Sequence, residues 1–169
     1  MKTHFTLLLL FISALSFSQN QSKIDLEKLK TKVYQLVNEE RSNNDRKLLG
    51  LDAHLKKAAD DHAKYIAKAQ TLSHEQTDAK KQSPKERVSF YGGNSFVLVG
   101  ENLLFTSIKD QIYTETDLDA LALKMFNLWK KSPNHLKNIL DHQYFYTEIG
   151  FSIDWENKKI YAVQVFGTK

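Results

Sequence analysis

Three short segments decide the fold: Leu72-Ser73-His74, Gly100-Glu101-Asn102-Leu103 and Trp129-Lys130-Lys131-Ser132-Pro133-Asn134-His135. Each segment places a His or a Glu near the predicted end of a helix or a strand. Two imidazoles and a carboxylate are the groups of a hydrated zinc site or of an acid/base site. Because separation along the chain does not fix separation in space, the surrounding sequence must show whether the three segments converge.

Helical periodicity predicts the elements that carry these segments. Apolar residues at helical spacing predict helices over Ile24 to Asn43 and over Leu51 to Gln70, the second with a stripe of alanines typical of close packing. Thr116 is expected to cap a third helix, Asp117–Lys131. A short fourth helix is expected to begin after Ser132, with proline at its first position.

Strands are predicted between and after these helices. Phe96 to Val99 is rich in β-branched and aromatic residues, so Gly100 and Glu101 are expected to follow the end of a strand. Alternating apolar residues predict two further strands, Ile149 to Trp155 and Tyr161 to Val165, joined by a turn at 156–158. Helices first and an antiparallel hairpin last indicate an α+β domain.

Taken in order, the three segments resemble the CAP superfamily (cysteine-rich secretory proteins, antigen 5 and pathogenesis-related 1 proteins), also called SCP-like domains. The similarity runs from about Val33 to Gly167. Further family-like residues are Asn38, Arg41, Leu55, Ala59, His62, Ala63, Pro84, Arg87, Gly92-Gly93 and the ending YAVQVFG at 161–167. The resemblance implies a three-layer α–β–α sandwich with a mainly antiparallel central sheet and a cleft on one face.

Two departures from the family pattern point to its bacterial branch. The chain has no cysteine, so the disulfides of the eukaryotic members are absent. Many eukaryotic members have two His and two Glu in the cleft, whereas here the position of the second Glu, three residues after Trp129, is Ser132. The resemblance therefore does not carry over the activities assigned to eukaryotic relatives.

The N-terminus reads as a secretory signal over residues 1–18. Lys2 and His4 form a basic region, Phe5 to Leu15 an apolar region, and Ser16-Phe17-Ser18 a cleavage site of the small-x-small type. The apolar run is too short to span a bilayer comfortably. We therefore expect a secreted or periplasmic protein, not an integral membrane protein after processing, in which residues 19–169 form a single domain.

Charge gives little indication of a partner. The formal net charge is +4, and the one basic cluster, Lys80-Lys81 with Lys85 and Arg87, is predicted to be a solvated loop. A nucleic-acid surface would be denser in basic residues and interleaved with aromatics. We expect no nucleic-acid partner, and a small molecule, a lipid or a protein all remain open.

Each cleft residue has a structural interpretation beside the functional one. His74 follows a helix, where a His often bonds free carbonyls. Glu101 can be buried only to orient a neighbouring His or to accept backbone N–H groups. His135 can face solvent in a first helical turn, where the helix dipole would favour its neutral form. Ser132 is expected to be an N-cap and not a nucleophile.

The resemblance favours the cleft interpretation of these residues. It implies a ligand-binding set of His74, Glu101, Ser132 and His135, with His74 and His135 as metal ligands. Glu101 is a candidate for a catalytic residue, but we assign a catalytic role to no residue. Outside the cleft, His62 is expected to be a satisfied, partly buried core residue and His142 an exposed one, while one or two of the aromatic residues 144–146 pack in the core.

Three classes of function remain open at this stage. The favoured one is a non-catalytic extracellular binding or interaction module, since the resemblance implies no single reaction. The second is a zinc-dependent peptidase or esterase in which Glu101 polarises a zinc-bound water. The third is lipid or sterol capture, which rests on the resemblance alone. Imidazoles favour zinc or copper over magnesium or calcium, and we expect any zinc to bind weakly.

Overall fold

The computed structural model describes residues 23–169, so the predicted signal over residues 1–18 lies outside the described part of the chain. The elements in chain order are α1 (Leu26–Asn43), β1 (Gly50–Leu51), α2 (Ala53–Ala69), α3 (Pro84–Phe90), β2 (Leu98–Ser107), α4 (Glu115–Lys130), α5 (Pro133–Leu140), β3 (Tyr146–Asp154) and β4 (Lys159–Thr168).

The strands form one sheet in the order β1-β3-β4-β2. The pairings β2–β4 and β3–β4 are antiparallel, and only the two-residue β1 pairs in parallel, with β3. The tight turn predicted at 156–158 is confirmed between β3 and β4. This order leaves β2 at one edge of the sheet, and β2 carries Glu101 and Asn102.

Helices cover both faces of the sheet, which confirms the α–β–α sandwich. Because successive strand side chains point to opposite faces, β4 supplies both cores. Tyr161, Val163 and Val165 pack with α2 and with Val88 of α3. Ile160, Ala162 and Phe166 pack on the other face, against α1, α4 and α5.

The alanine stripe of α2 brings that helix close to the sheet, as predicted. Ala58, Ala59 and Ala63 are fully buried. At Gly150 of β3, an added Cβ would lie 2.3 Å from the carbonyl carbon of Ala59. A glycine is therefore required there because the helix backbone occupies the space of a side chain.

Several predicted boundaries need correction. The third helix begins at Glu115 and not at Asp117, because Thr114, and not Thr116, forms the capping box, with Asp117. The strand predicted over Phe96 to Val99 runs instead from Leu98 to Ser107, so Glu101 lies inside it. The first two helices begin at Leu26 and Ala53, where the side chains of Asp25 and Asp52 cap them.

Two further features complete the fold. The polar stretch after α2 ends in α3, a short helix that begins with a capping box between Ser83 and Glu86. Within residues 23–169, no helix is both long and apolar enough to cross a membrane.

Candidate binding cleft

Glu101 is the central charge of the cleft, and both of its carboxylate oxygens are occupied. Its side chain is 1% exposed. Oε1 lies 2.9 Å from Nδ1 of His74, and Oε2 accepts a hydrogen bond of 2.7 Å from Nη2 of Arg87. A pair of charge-assisted partners of this kind holds a carboxylate in one orientation.

Arg87 ties the loop after α2 to this carboxylate. Its guanidinium is fully buried, and Nη1 donates to the carbonyls of His74, Lys81 and Gln82. The prediction that the basic cluster around Lys80 is a solvated loop is therefore wrong for Arg87. The local pattern gave no sign of this, because the acid that pairs with Arg87 lies fourteen residues further along the chain.

His62 lies beneath the loop as a fully buried, hydrogen-bonded side chain. Its Nε2 is 2.8 Å from the carbonyl of Ser73, and Nε2 of Gln76 is 3.0 Å from its Nδ1. These partners fit a neutral ring that donates from Nε2 and accepts at Nδ1. Burial lowers the pKa of His62, and the positive charge of Arg87 adds to this effect. The prediction of a satisfied His is confirmed, although burial is complete and not partial.

His74 presents one ring nitrogen, Nδ1, to Glu101. Its side chain is 55% exposed, while its Nδ1 is held by the buried Oε1. A carboxylate that accepts from one imidazole nitrogen fixes the ring and raises the basicity of the other nitrogen, as in many metal sites. His74 is thus an oriented imidazole at the surface and not a simple helix-end residue.

His135 lies on α5, and its main-chain carbonyl accepts a hydrogen bond from Asn102 of β2. It is the third residue of α5, as predicted, and is half-buried. Its buried Nδ1 has no hydrogen-bond partner. Burial lowers the pKa of His135, and the positive charge of His74 lowers it further. The neutral ring expected from the sequence is therefore favoured, and burial is the main cause.

A pair of amides fixes α5 against the strand. Asn102 Nδ2 donates to the carbonyl of His135 at 3.1 Å, and Asn138 Nδ2 donates to Asn102 Oδ1 at 2.9 Å. Asn138 also donates to the main-chain carbonyl of Glu101 at 3.3 Å. Sequence reasoning missed Asn138. Its position one helical turn after His135 could have indicated that both residues lie on the same side of α5.

Ser132 occupies the N-cap of α5, as expected, with Pro133 at the next position. Its side chain makes no capping hydrogen bond. It is half-buried and adds a hydroxyl, not a carboxylate, beside the helix that carries His135. The assignment of Ser132 to a ligand-binding set stays a prediction.

The inventory of metal ligands in the cleft is small. Across residues 23–169, no group of three or more His, Cys, Asp or Glu is placed to hold a metal ion. The assignment of His74 and His135 as metal ligands stays a prediction. A structural zinc site has four protein ligands and a catalytic one three, so water or a bound ligand would have to complete the coordination.

Comparison with known proteins agrees with this architecture. Residues 34–166 match the sequence profile of CAP, the cysteine-rich secretory protein family. The chain belongs to the CAP family. A comparison with curated protein sequences found no match.

Solved CAP structures share the fold at low sequence identity. An outer surface protein of Borrelia burgdorferi is 22% identical with a TM-score of 0.70, and the match covers 86% of this chain and 96% of that one. An extracellular protein with an SCP domain from Bacillus anthracis is 23% identical with a TM-score of 0.62, covering 85% of this chain and 41% of that one. A cysteine-rich secretory protein from Staphylococcus aureus is 14% identical with a TM-score of 0.54, covering 88% and 40%. At these identities the likeness shows the fold.

Proposed function

We propose that this CAP protein acts outside the cytoplasm as a non-catalytic binding or interaction module, and that its cleft binds a divalent metal weakly through His74 and His135. The observation that carries the proposal is the occupation of both Glu101 oxygens, by His74 and by Arg87. A general base needs an oxygen within hydrogen-bond reach of the water it activates. Glu101 instead supports the ring of His74, and Ser132 supplies no second acid.

The donor set favours zinc or copper for this cleft. Neutral imidazoles suit these borderline metals, whereas magnesium and calcium need more oxygen ligands. His74 is oriented by Glu101, and His135 is kept neutral by its burial. Two protein ligands predict weak affinity, with the remaining positions open to water or to a ligand of the module.

Zinc calorimetry on single variants tests this assignment. We expect His74→Ala and His135→Ala each to weaken zinc binding by at least about tenfold, or ~1.4 kcal/mol. His142→Ala is the matched control, because His142 has an 80% exposed side chain and lies outside the cleft. Binding is also expected to fade as pH falls through about 6–7, where imidazoles take up protons. Equal affinity in all four proteins would remove these residues from the site.

A zinc-dependent peptidase or esterase is the alternative that the His74–Glu101 pair favours. In that case His74 and His135 bind zinc, and Glu101 must exchange Arg87 or His74 for the reacting water. Assays of peptide and ester turnover with and without zinc separate the two proposals. Zinc-dependent turnover that is lost in Glu101→Gln would replace the non-catalytic proposal with the hydrolase.

A further inference from the structure

A pocket lies beside β1 and β3, at the edge of the sheet opposite β2. It has a volume of about 180 Å³, and Lys30, Tyr34, Gln35, Leu51, Glu148 and Ile149 contribute to its walls. We refer to it as the Glu148 pocket. Pockets for drug-sized ligands are larger, roughly 300–1,000 Å³, so this one suits a small molecule.

The pocket exists because β1 is short. β1 pairs only with Tyr146 and Thr147, and among residues 23–169 no strand continues along the outer edge of β3. Glu148 and Ile149 follow directly, and α1 and Leu51 close the remaining sides. The sheet edge that a longer β1 would cover therefore becomes the floor of a pocket.

Glu148 is the acidic group of this pocket, and one of its two carboxylate oxygens has no hydrogen-bond donor. Its side chain is 7% exposed, and its buried Oε2 accepts no hydrogen bond. The nearest cation, Lys30 Nζ, is 4.0 Å away, beyond hydrogen-bond distance, and lies 2.7 Å from Oε2 of Glu27 instead. Burial raises the pKa of Glu148. A buried acceptor without a donor is costly, so a donor supplied by a ligand would be favourable.

The surrounding charges favour a cation as that donor. Lys30 stands between two carboxylates, Glu27 and Glu148, so the three groups carry a net negative charge when ionised. The nearby Lys56–Asp60 pair is internally balanced at 2.5 Å. The hydroxyl of Tyr34 already donates to the carbonyl of Leu49, which leaves its ring to face an apolar or cationic group.

We propose that the Glu148 pocket binds a small alkylammonium ligand, whose N–H group donates to Glu148 and whose carbon chain lies against Tyr34, Leu51 and Ile149. Lys30 stays bound to Glu27 at 2.7 Å, which leaves Oε2 of Glu148 to the ligand. This site is separate from the His cleft and does not depend on the function proposed for it.

Titration of the purified protein with butylammonium at pH 8, followed by NMR, tests the proposal. The amide signals of Tyr34, Glu148 and Ile149 are expected to shift saturably, with a Kd of about 1–10 mM for so small a ligand. Glu148→Gln should weaken binding at least about tenfold, since 1.4 kcal/mol corresponds to that factor. Glu156→Gln, a charge-matched change in the exposed turn, should leave the Kd unchanged.

Two further measurements test the proposal even if Glu148→Gln does not fold. Lys30→Ala removes the competing cation and is expected to tighten binding several-fold, an effect that loss of structure would not produce. Butanol, which matches the carbon chain without the charge, should not shift these signals at the same concentrations. Equal binding of butanol, unchanged affinity in Glu148→Gln, or weaker binding in Lys30→Ala would each overturn the proposal.

Discussion

At the scale of single residues, the cleft depends on buried charges that neutralise one another. Glu101 and Arg87 lie beneath the exposed ring of His74, and each is almost completely buried. Removing one member of such a pair leaves the other as an uncompensated buried charge. The same contacts that orient His74 therefore contribute to the stability of the fold.

Substitution of Arg87 tests this dual role. Arg87→Met leaves the buried carboxylate of Glu101 without its cation and removes the donor to three loop carbonyls. We therefore expect a loss of about 3–5 kcal/mol in the free energy of unfolding. Urea denaturation measures it. Lys80→Met, in the exposed part of the same basic cluster, is the control and should stay within about 0.5 kcal/mol of the wild type. Equal effects would contradict the buried role of Arg87.

The buried His62 predicts a pH dependence of stability. Because its pKa is lowered in the folded protein, protons bind the unfolded chain more tightly, and the unfolded His has a pKa of about 6.5. This contribution to stability is complete above that value and is lost as pH falls below it. Denaturant titrations at pH 7.5 and 5.5 should show a smaller loss for His62→Gln than for the wild type.

Two comparisons support the interpretation of that experiment. His142→Gln, at an exposed position, should keep the wild-type pH dependence. Burial raises the pKa of Glu148, so this group acts in the opposite direction, and its contribution to stability is lost as pH rises above about 4.5. Because Glu148 is present in all the proteins compared, it does not affect the comparison. If His62→Gln lost as much stability between pH 7.5 and 5.5 as the wild type, another group would be responsible for the pH dependence.

At the scale of elements, the approach of α2 to the sheet is the tightest constraint. Gly150→Ala places a Cβ against the backbone of Ala59 and Asp60, at 2.3–2.5 Å, so the helix or the strand must move. We expect the free energy of unfolding to fall by about 1–3 kcal/mol, the usual cost of overpacking. Gly50→Ala is the matched control, because its Cβ would find its nearest neighbour, the Tyr146 ring, at 3.5 Å. Thermal unfolding should separate the two variants clearly.

The long amphipathic elements and the short helix after Ser132 were predictable from the sequence, whereas β1 and the full length of β2 were not. Periodicity located α1, α2 and the β3–β4 hairpin to within a few residues. It missed β1, which is two residues long and depends on pairing with β3. It also ended β2 too early, because a Glu and an Asn inside a strand resemble a loop. Their partners, Arg87, His74 and Asn138, come from elsewhere in the chain.

The candidate site was selected only through the family resemblance. The three motifs singled out His74 and Glu101, which lie in contact, and His135, whose pKa is lowered by burial and by His74. Their role in binding stays a prediction. The roles of Arg87 and Asn138 as fixing residues follow from tertiary contacts. No local pattern records such contacts, because both partners are ordinary polar residues until the fold brings them together.

At the scale of the whole molecule, the N-terminal sequence predicts export. The basic, apolar and small-residue pattern of residues 1–18 predicts cleavage near Ser18. Intact mass and N-terminal sequencing of the exported protein should show a chain that begins near Gln19. Recovery of the intact N-terminus from the cell envelope would contradict this prediction.

In the proposed metal site, His74 and His135 bind the ion weakly and Glu101 supports the ring of His74. A crystal structure of the protein grown with zinc, with anomalous diffraction at the zinc edge, tests it most directly. We expect anomalous density between the two imidazoles, with Glu101 still bound to His74 and Arg87 and not to the metal. Density elsewhere, or a zinc ion bound directly by a Glu101 that has left Arg87, would contradict the claim.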